Sequence, residues 1–280
     1  MTEQDKFKFQ MVYLVPILVS LIFGLGCAYL LAPLQADVTI TPVQETTPGA
    51  PIANALYFVV LIAISATIFY ILIKRRSKRI IKGLIIVALT TASLLLSLVY
   101  LSAIFAYFPS VDILVIPLAI ALTVLFDLAI FRFGSIARNV AVVALGGALG
   151  IFFGKWIPLY SAVLILAFLA VYDVFAVYRG PVGKIAQSGL DQLQGLSFAF
   201  KDIQMGLGDL VFYSMLTGTM FFSFLPSILP CIISIIGILA GSVMTFFMLE
   251  RKGIFPGLPF PIMLGLAGGL ITGLLILPLL

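Results

Sequence analysis

Two aspartates stand inside apolar segments of this sequence. Asp173 lies in a run that ends before Arg179, and Asp209 closes the short motif Gly206–Asp209 in the next apolar run. An Asp in the middle of a membrane helix costs roughly 3 kcal/mol on insertion scales, so two of them require an explanation. The pair fits acid–base hydrolysis. One carboxylate would activate water, and the other, protonated, would polarise a scissile carbonyl and later protonate the leaving nitrogen.

The composition indicates a membrane protein and restricts its chemistry. Of 280 residues, 62% are hydrophobic, 10% are charged and none is His. We therefore predict an all-α polytopic membrane protein without a Ser–His nucleophile, a His-ligated zinc site or a His proton relay. Cys27 and Cys231 lie in different apolar runs without metal-ligand spacing, so we expect no metal and no organic cofactor. The basic residues form short blocks between apolar runs, which predicts no nucleic-acid partner.

Hydropathy divides the chain into nine apolar segments of about the 20 residues needed to cross a bilayer. The fifth is short and rich in glycine, which is typical of a helix packed closely among others. The first follows Lys6 and Lys8 and is too long for a signal-peptide core, so we expect a membrane anchor. The predicted spans are about 9–32, 53–73, 83–106, 113–131, 140–153, 157–178, 206–225, 231–249 and 255–280.

We interpret the chain as one membrane-embedded domain over 1–280. Helices 1–5 occupy 1–156, and helices 6–9 occupy 157–280 with a polar cytoplasmic loop over 179–205. An N-terminus in the cytoplasm places every Lys and Arg except Lys155 on the cytoplasmic side, in agreement with the positive-inside rule. Nine spans then put the C-terminus outside the cytoplasm and predict a multi-pass protein of the cell membrane.

The two aspartates are predicted at similar depths in adjacent helices. Asp173 lies six residues before Arg179, roughly 9 Å along a helix, and Asp209 lies eight residues after Lys201, roughly 12 Å. One loop joins the two antiparallel spans, so the carboxyl groups can meet. Two carboxyl groups this close share one proton, which is the state that aspartyl proteolysis needs.

Glycine and proline mark two places where backbone groups are left free. Gly206 and Gly208 allow irregular backbone and the close approach of a substrate strand at the start of the seventh span. The run Pro256–Pro259 prevents a regular helix start before the ninth span. Free backbone groups at membrane depth are tolerated where they line a wet cavity or pair with a substrate. An edge in the polar loop or the proline-rich turn would receive an unwound substrate by strand addition.

Three motifs together resemble the signatures of the presenilin and signal peptide peptidase family. They are YD at Tyr172–Asp173, GxGD at Gly206–Asp209 and PAL at Pro256–Leu258, and they occur in the family's order on the predicted sixth, seventh and ninth spans. The Phe212–Ser214 tail after the second motif and the cytoplasmic N-terminus are more similar to presenilin. With short loops, the chain resembles an archaeal presenilin homologue.

The resemblance implies an intramembrane aspartyl endopeptidase with Asp173 and Asp209 as its catalytic pair and transmembrane helices of other proteins in the lipid bilayer as its substrates. Gly257 replaces the alanine that the family usually has, and the polar loop lacks the long insertion in which presenilins cut themselves. The short loops favour a chain that acts without accessory subunits, and they do not distinguish a monomer from a homo-oligomer. The residues expected to shape the site are Tyr172, Gly206, Leu207, Gly208, Pro256, Gly257, Leu258 and Pro259.

The sequence is also compatible with other functions. A prepilin or preflagellin peptidase also uses a GxGD aspartate, but it typically has Lys soon after the motif, where this chain has Leu210 and Val211. A proton-coupled transporter would use the aspartates as a relay, but the chain shows no inverted repeat. A membrane scaffold leaves the acids unexplained. Asp127, five residues before Arg132, is predicted to be structural.

Overall fold

The computed structural model describes residues 8–34, 39–75, 77–179, 196–200 and 203–276. In these ranges nine α-helices and one β-hairpin follow one another, with 3-10 turns at Met11–Leu14 and Pro109–Leu114 before the first and fourth helices. The helices are α1 Val15–Leu31, α2 Ala50–Lys74, α3 Lys78–Phe105, α4 Val115–Phe131, α5 Gly134–Trp156, α6 Leu159–Tyr178, α7 Leu207–Ser223, α8 Leu229–Lys252 and α9 Pro259–Ile276. The strands are β1 Ser197–Phe200 and β2 Ile203–Gly206.

Eight of the described helices, counted with their 3-10 turns, are long and apolar enough to cross a membrane. The remaining one is α7, which has 17 residues. At 1.5 Å per residue it spans roughly 26 Å, slightly less than the hydrocarbon core of a bilayer. The helix is short because the chain enters it from an extended strand, β2, rather than from a helical turn. The prediction of a multi-pass, helical membrane protein is confirmed.

The fifth helix is longer than its apolar run. The predicted segment 140–153 becomes α5, which has 23 residues. Arg138 and Asn139 lie within it because backbone hydrogen bonding continues beyond the apolar part. The glycines of α5 explain its close packing against α7: a Cβ atom at Gly154 would lie 2.7 Å from the backbone nitrogen of Thr219. The backbones of the two helices therefore touch, as the glycine content predicted.

A β-hairpin precedes α7, where the sequence predicted a polar loop and offered this loop or the proline-rich turn as the place of an extended edge. Strands β1 and β2 are antiparallel and pair Phe198 with Met205. The Leu207 N–H donates to the Leu196 carbonyl at 2.8 Å, which continues the ladder into the first residue of α7. Residues 180–195 and 201–202 of the predicted loop 179–205 lie outside the described residues, as do the terminal residues 1–7 and 277–280.

Polar contacts fasten the segment between α1 and α2 to the start of α6. The buried Asn54 side chain accepts from the Val43 N–H and donates to the Val43 carbonyl, each at 2.9 Å. It also donates to the Ser161 hydroxyl at 2.9 Å, and Glu45 accepts from that hydroxyl. The Ile40 N–H donates to the Trp156 carbonyl at 3.2 Å. This network holds the end of α6 that is farthest from Asp173.

Candidate active site

Asp173 is placed by α6 in the last two turns of that helix. Its side chain is half-buried. Asp173 Oδ2 accepts a hydrogen bond from the Leu258 N–H at 3.0 Å, and the carboxyl group also accepts from the Gly257 N–H. Two backbone donors of the segment before α9 therefore hold this carboxyl group in a fixed orientation.

Asp209 lies in the first turn of α7, directly after β2. The helix begins at Leu207, and Gly206 is its N-cap residue. The Asp209 carboxyl group accepts from the Gly206 N–H. The first N–H groups of a helix lack partners in the helix, and their partial positive charge favours a carboxylate there. The geometry of the strand-to-helix junction therefore positions Asp209 where a negative charge is stabilised.

The glycines of the second motif adopt ordinary backbone conformations. Gly206 has φ −73° and ψ 144°, which any residue tolerates, and Gly208 lies inside the helix. A Cβ atom at Gly206 would lie 3.9 Å from Asp209 Oδ2. Gly206 thus leaves the surface of the Asp209 carboxyl group uncovered. Leu207, between them, is buried and contacts α5 at Gly146, which anchors the start of α7.

The proline-rich segment crosses between the two aspartates. Pro256 and Leu258 are buried, and α9 begins at Pro259, a favourable first helical position for proline. The Ile262 N–H donates to the Leu258 carbonyl at 3.0 Å. The Tyr213 hydroxyl donates to the Gly257 carbonyl at 2.9 Å. The segment is therefore tied to α6 through its N–H groups and to α7 through a carbonyl.

Gly257 contacts both carboxyl groups. Its N–H reaches Asp173, and a Cβ atom on it would lie 3.1 Å from Oδ2 and 3.2 Å from Oδ1 of Asp209. Asp173 and Asp209 also interact electrostatically with each other. The structure thus brings the two predicted aspartates together on either side of one short backbone segment.

A cavity of about 110 Å³ opens beside Asp209. One water needs roughly 15 Å³ of such space, so the cavity has room for several water molecules. Its polar wall includes Asp209, Tyr213, Ser242 and Thr245, and its apolar wall is formed by Ile17, Met205, Phe246, Leu249 and Phe255. The Asp209 carboxyl group and the Gly257 backbone therefore border a space that is large enough for water.

A family model described as signal-peptide peptidase, presenilin aspartyl protease matches residues 17–186. This range is more than half of the chain. The chain belongs to this family. It is an intramembrane aspartyl protease of the presenilin type. The family match therefore supports proteolysis within the membrane over the functions of a prepilin peptidase or a transporter. The matched range includes Asp173 and ends before Asp209.

Two solved structures have the same fold as this presenilin-family chain. Both are described as a presenilin family intramembrane aspartate protease, one in space group C222 and one in P2. The first has a TM-score of 0.68 at 20% identity and covers 94% of this chain and 98% of the other. The second has a TM-score of 0.67 at 20% identity and covers 94% and 97%. No curated protein matches this chain.

Sequence reasoning missed three polar residues that line the cavity of this presenilin-type protease. Tyr213 is buried and lies one helical turn after Asp209, a spacing that puts both on one face of α7. Ser242 and Thr245 are buried on α8. Their i, i+3 spacing in an apolar helix was the available signal. Thr245 Oγ1 is buried and has no hydrogen-bond partner among the described residues.

The remaining predicted residues lie at the edge of the site or outside it. Tyr172 is half-buried next to Asp173 on α6. Asp127, the third membrane-embedded aspartate, accepts a hydrogen bond from the Thr90 hydroxyl at 2.7 Å and so pairs α4 with α3. Within the described ranges, no three Cys, Asp or Glu side chains come together as a metal-binding group.

Proposed function

We propose that Asp173 and Asp209 form the catalytic dyad of this protease and that it hydrolyses peptide bonds in the transmembrane segments of other membrane proteins. The observation that supports this most strongly is the contact of both carboxyl groups with the Gly257 main chain, next to a cavity large enough for water. Asp127 is not part of the proposed dyad, because it accepts a hydrogen bond from the Thr90 hydroxyl of α3.

The chemistry follows from the pairing of the two acids. One carboxylate takes a proton from a water molecule as that water attacks the scissile carbonyl carbon. The other carboxyl group, protonated, donates a hydrogen bond to the carbonyl oxygen and then delivers a proton to the leaving nitrogen. Backbone donors from the segment before α9 hold Asp173, and the first turn of α7 holds Asp209. The residues that shape the active site around the two carboxyl groups are Tyr172, Gly206, Leu207, Gly208, Pro256, Gly257, Leu258 and Pro259.

The hairpin before α7 offers a strand edge to which an unwound substrate helix can bind. Because Leu196 and Leu207 form a hydrogen-bonded pair and such pairs alternate, the backbone N–H and C=O of Gln204 point away from β1. A substrate strand that pairs with this edge of β2 would run directly toward Asp209. Main-chain hydrogen bonds on β2 would replace those that the substrate helix loses when it unwinds.

We also propose an orientation in the membrane and a set of requirements for this protease. The N-terminus lies in the cytoplasm of a cell and the C-terminus outside it, so both aspartates lie nearer the cytoplasmic face of the cell membrane. The chain functions as one domain and requires neither a metal nor an organic cofactor. Its partners include the lipid bilayer and the substrate helix.

The experiment that tests this function is incubation of the purified chain with a panel of single-span membrane proteins, followed by mass spectrometry of the products. We expect cuts within the apolar segments of the substrates. Asp173→Asn and Asp209→Asn each abolish cleavage, because Asn can neither activate water nor deliver a proton.

Asp127→Asn is the matched control, since it makes the same chemical change in another membrane-embedded aspartate. It retains at least half of the activity and accepts the Thr90 hydrogen bond through its amide oxygen. Retained cleavage in either dyad variant, or cuts only in a pilin-type leader outside the membrane, would remove the proposed function.

A further inference from the structure

One peptide group connects Tyr213 to Asp173. The carbonyl of Gly257 and the N–H of Leu258 belong to the same peptide unit, and the carbonyl accepts from the Tyr213 hydroxyl at 2.9 Å. The N–H of that unit donates to Asp173 Oδ2 at 3.0 Å. The unit is planar and trans, so its C=O and N–H point in opposite directions. Fixing the carbonyl therefore fixes the direction of the N–H.

The two residues that donate these hydrogen bonds, Tyr213 and Leu258, are almost fully buried. Tyr213 is 2% exposed and Leu258 is 5% exposed. Hydrogen bonds in sequence polarise one another, and they do so most strongly where the local dielectric constant is low. A donor on the Gly257 carbonyl thus makes the Leu258 N–H a better partner for a carboxylate.

The Gly257 carbonyl and the Leu258 N–H of this peptide unit both bond side chains rather than partners within a helix. Helix α8 ends at Lys252 and α9 begins at Pro259. Between them the chain is bent or extended, and Pro256 offers no N–H. The direction of the Gly257–Leu258 unit therefore depends on its side-chain partners, which come from α7 and α6.

We propose that Tyr213 is a positioning residue for Asp173 and acts through the Gly257–Leu258 peptide unit. This inference rests on the proposed dyad. When the hydroxyl is absent, the Gly257 carbonyl is buried without its donor. The peptide unit then turns toward another donor and the Leu258 N–H leaves Asp173. The chemical step suffers, whereas the surface that binds substrate is unchanged.

The test is a steady-state measurement on a fluorogenic single-span substrate in detergent. Tyr213→Phe removes one oxygen atom and keeps the ring. We expect kcat to fall at least tenfold, because a misplacement of a reacting group by about 1 Å can cost about a hundredfold in rate. We expect KM to stay within twofold of the original value, because the hydroxyl is bonded to the Gly257 carbonyl and the ring is retained.

The chain offers a closely matched control in Tyr100→Phe. The Tyr100 hydroxyl donates to the Ala148 carbonyl at 2.8 Å and so joins α3 to α5 by the same kind of bond. Both variants lose one tyrosine-to-carbonyl bond between helices, and we expect both to lower the midpoint of thermal unfolding by similar amounts. Tyr100→Phe keeps kcat within twofold of the original.

The outcomes separate this inference from the function on which it rests. Four results each overturn the role of Tyr213: unchanged kcat in Tyr213→Phe, a rise in KM alone, an equal kcat loss in Tyr100→Phe, or a far lower unfolding midpoint than that of Tyr100→Phe. Asp173→Asn is measured in the same assay. If it still cleaves, the dyad fails; if it is inactive while Tyr213→Phe is fully active, only the positioning role fails.

Discussion

The main chain of Gly257 lies against the carboxyl group of Asp209: a Cβ atom at this position would be 3.1 Å from Asp209 Oδ2 and 3.2 Å from Asp209 Cγ. These separations are shorter than ordinary van der Waals contact. The residue at 257 therefore sets how close the segment before α9 comes to the carboxyl group, and its size limits the space for a substrate carbonyl.

We expect Gly257→Ala to lower proteolysis by less than about tenfold and Gly257→Val to lower it by at least about a hundredfold. Asp209 is half-buried beside a cavity, so its carboxyl group can retreat a few tenths of an ångström from one methyl group. A branched side chain displaces it further, and a shift near 1 Å costs about a hundredfold in rate. The measurement is kcat/KM on a single-span substrate.

The control for these changes is the same pair of substitutions at Gly83. A Cβ atom there would meet nothing within 4 Å, so Gly83→Ala and Gly83→Val keep their activity. Equal activities for Gly257→Ala and Gly257→Val would show that position 257 does not control access to Asp209.

The contact between α5 and α7 predicts a second sensitive glycine. A Cβ atom at Gly154 would lie 2.7 Å from the Thr219 nitrogen and 2.8 Å from the Met215 carbonyl oxygen, both backbone atoms. Gly154→Ala therefore pushes the helices apart and costs about 1–3 kcal/mol of stability. We expect a lower midpoint of thermal unfolding in detergent and reduced cleavage, because α7 carries Asp209.

Gly26→Ala on α1 is the control for this prediction, since nothing lies within 4 Å of its added methyl group. It replaces glycine inside a helix and raises stability by about 0.5–1 kcal/mol. If Gly154→Ala stabilises the chain as Gly26→Ala does, the backbones of α5 and α7 do not touch in the membrane.

Much of this arrangement could be predicted from the sequence. The helices follow from the length of the apolar runs, and the meeting of Asp173 with Asp209 follows from their similar depths in adjacent antiparallel spans. Both predictions use local properties of the chain, namely hydropathy and rise per residue. The membrane environment makes them reliable, because an apolar run of this length has few alternatives to a helix.

The contacts between distant segments could not be predicted. The bounds and pairing of the hairpin over 197–206 were not predicted, because its strands are short and follow a polar segment. The partner of Asp127 was also missed, since sequence spacing drew attention to Arg132 whereas the structure gives Thr90 of α3. The hydrogen bond from Tyr213 to Gly257 joins residues 44 positions apart. Its acceptor is a backbone carbonyl, which every residue has, so the residue type gives no signal. A hydropathy pattern contains no information on such pairs.

The network at Asn54 predicts a stability effect far from the aspartates. Asn54→Leu removes two bonds to Val43 and one to Ser161, and it leaves partly buried backbone groups of Val43 without these partners. We expect a loss of about 1–3 kcal/mol, measured as the free energy of unfolding in denaturant and detergent.

Ser65→Ala on the same helix provides the comparison. Ser65 is exposed and its hydroxyl bonds to the Leu61 carbonyl of its own helix, so its removal changes stability by less than about 0.5 kcal/mol. Equal unfolding free energies for the two variants would mean that the segment 39–49 does not hold α2 and α6 together.

The edge of β2 that faces away from β1 predicts how a substrate strand binds. Gln204→Pro removes an N–H that points away from β1, so the hairpin keeps its hydrogen bonds while a substrate strand loses a donor. A hydrogen bond is worth about 0.5–1.5 kcal/mol, so we expect kcat/KM to fall about threefold to tenfold. Gln204→Ala keeps the N–H and should cleave at the original rate with the same unfolding midpoint. If Gln204→Pro cleaves as fast as Gln204→Ala, the substrate reaches Asp209 without pairing with β2, and the unwound segment must be held by the residues before α9 instead.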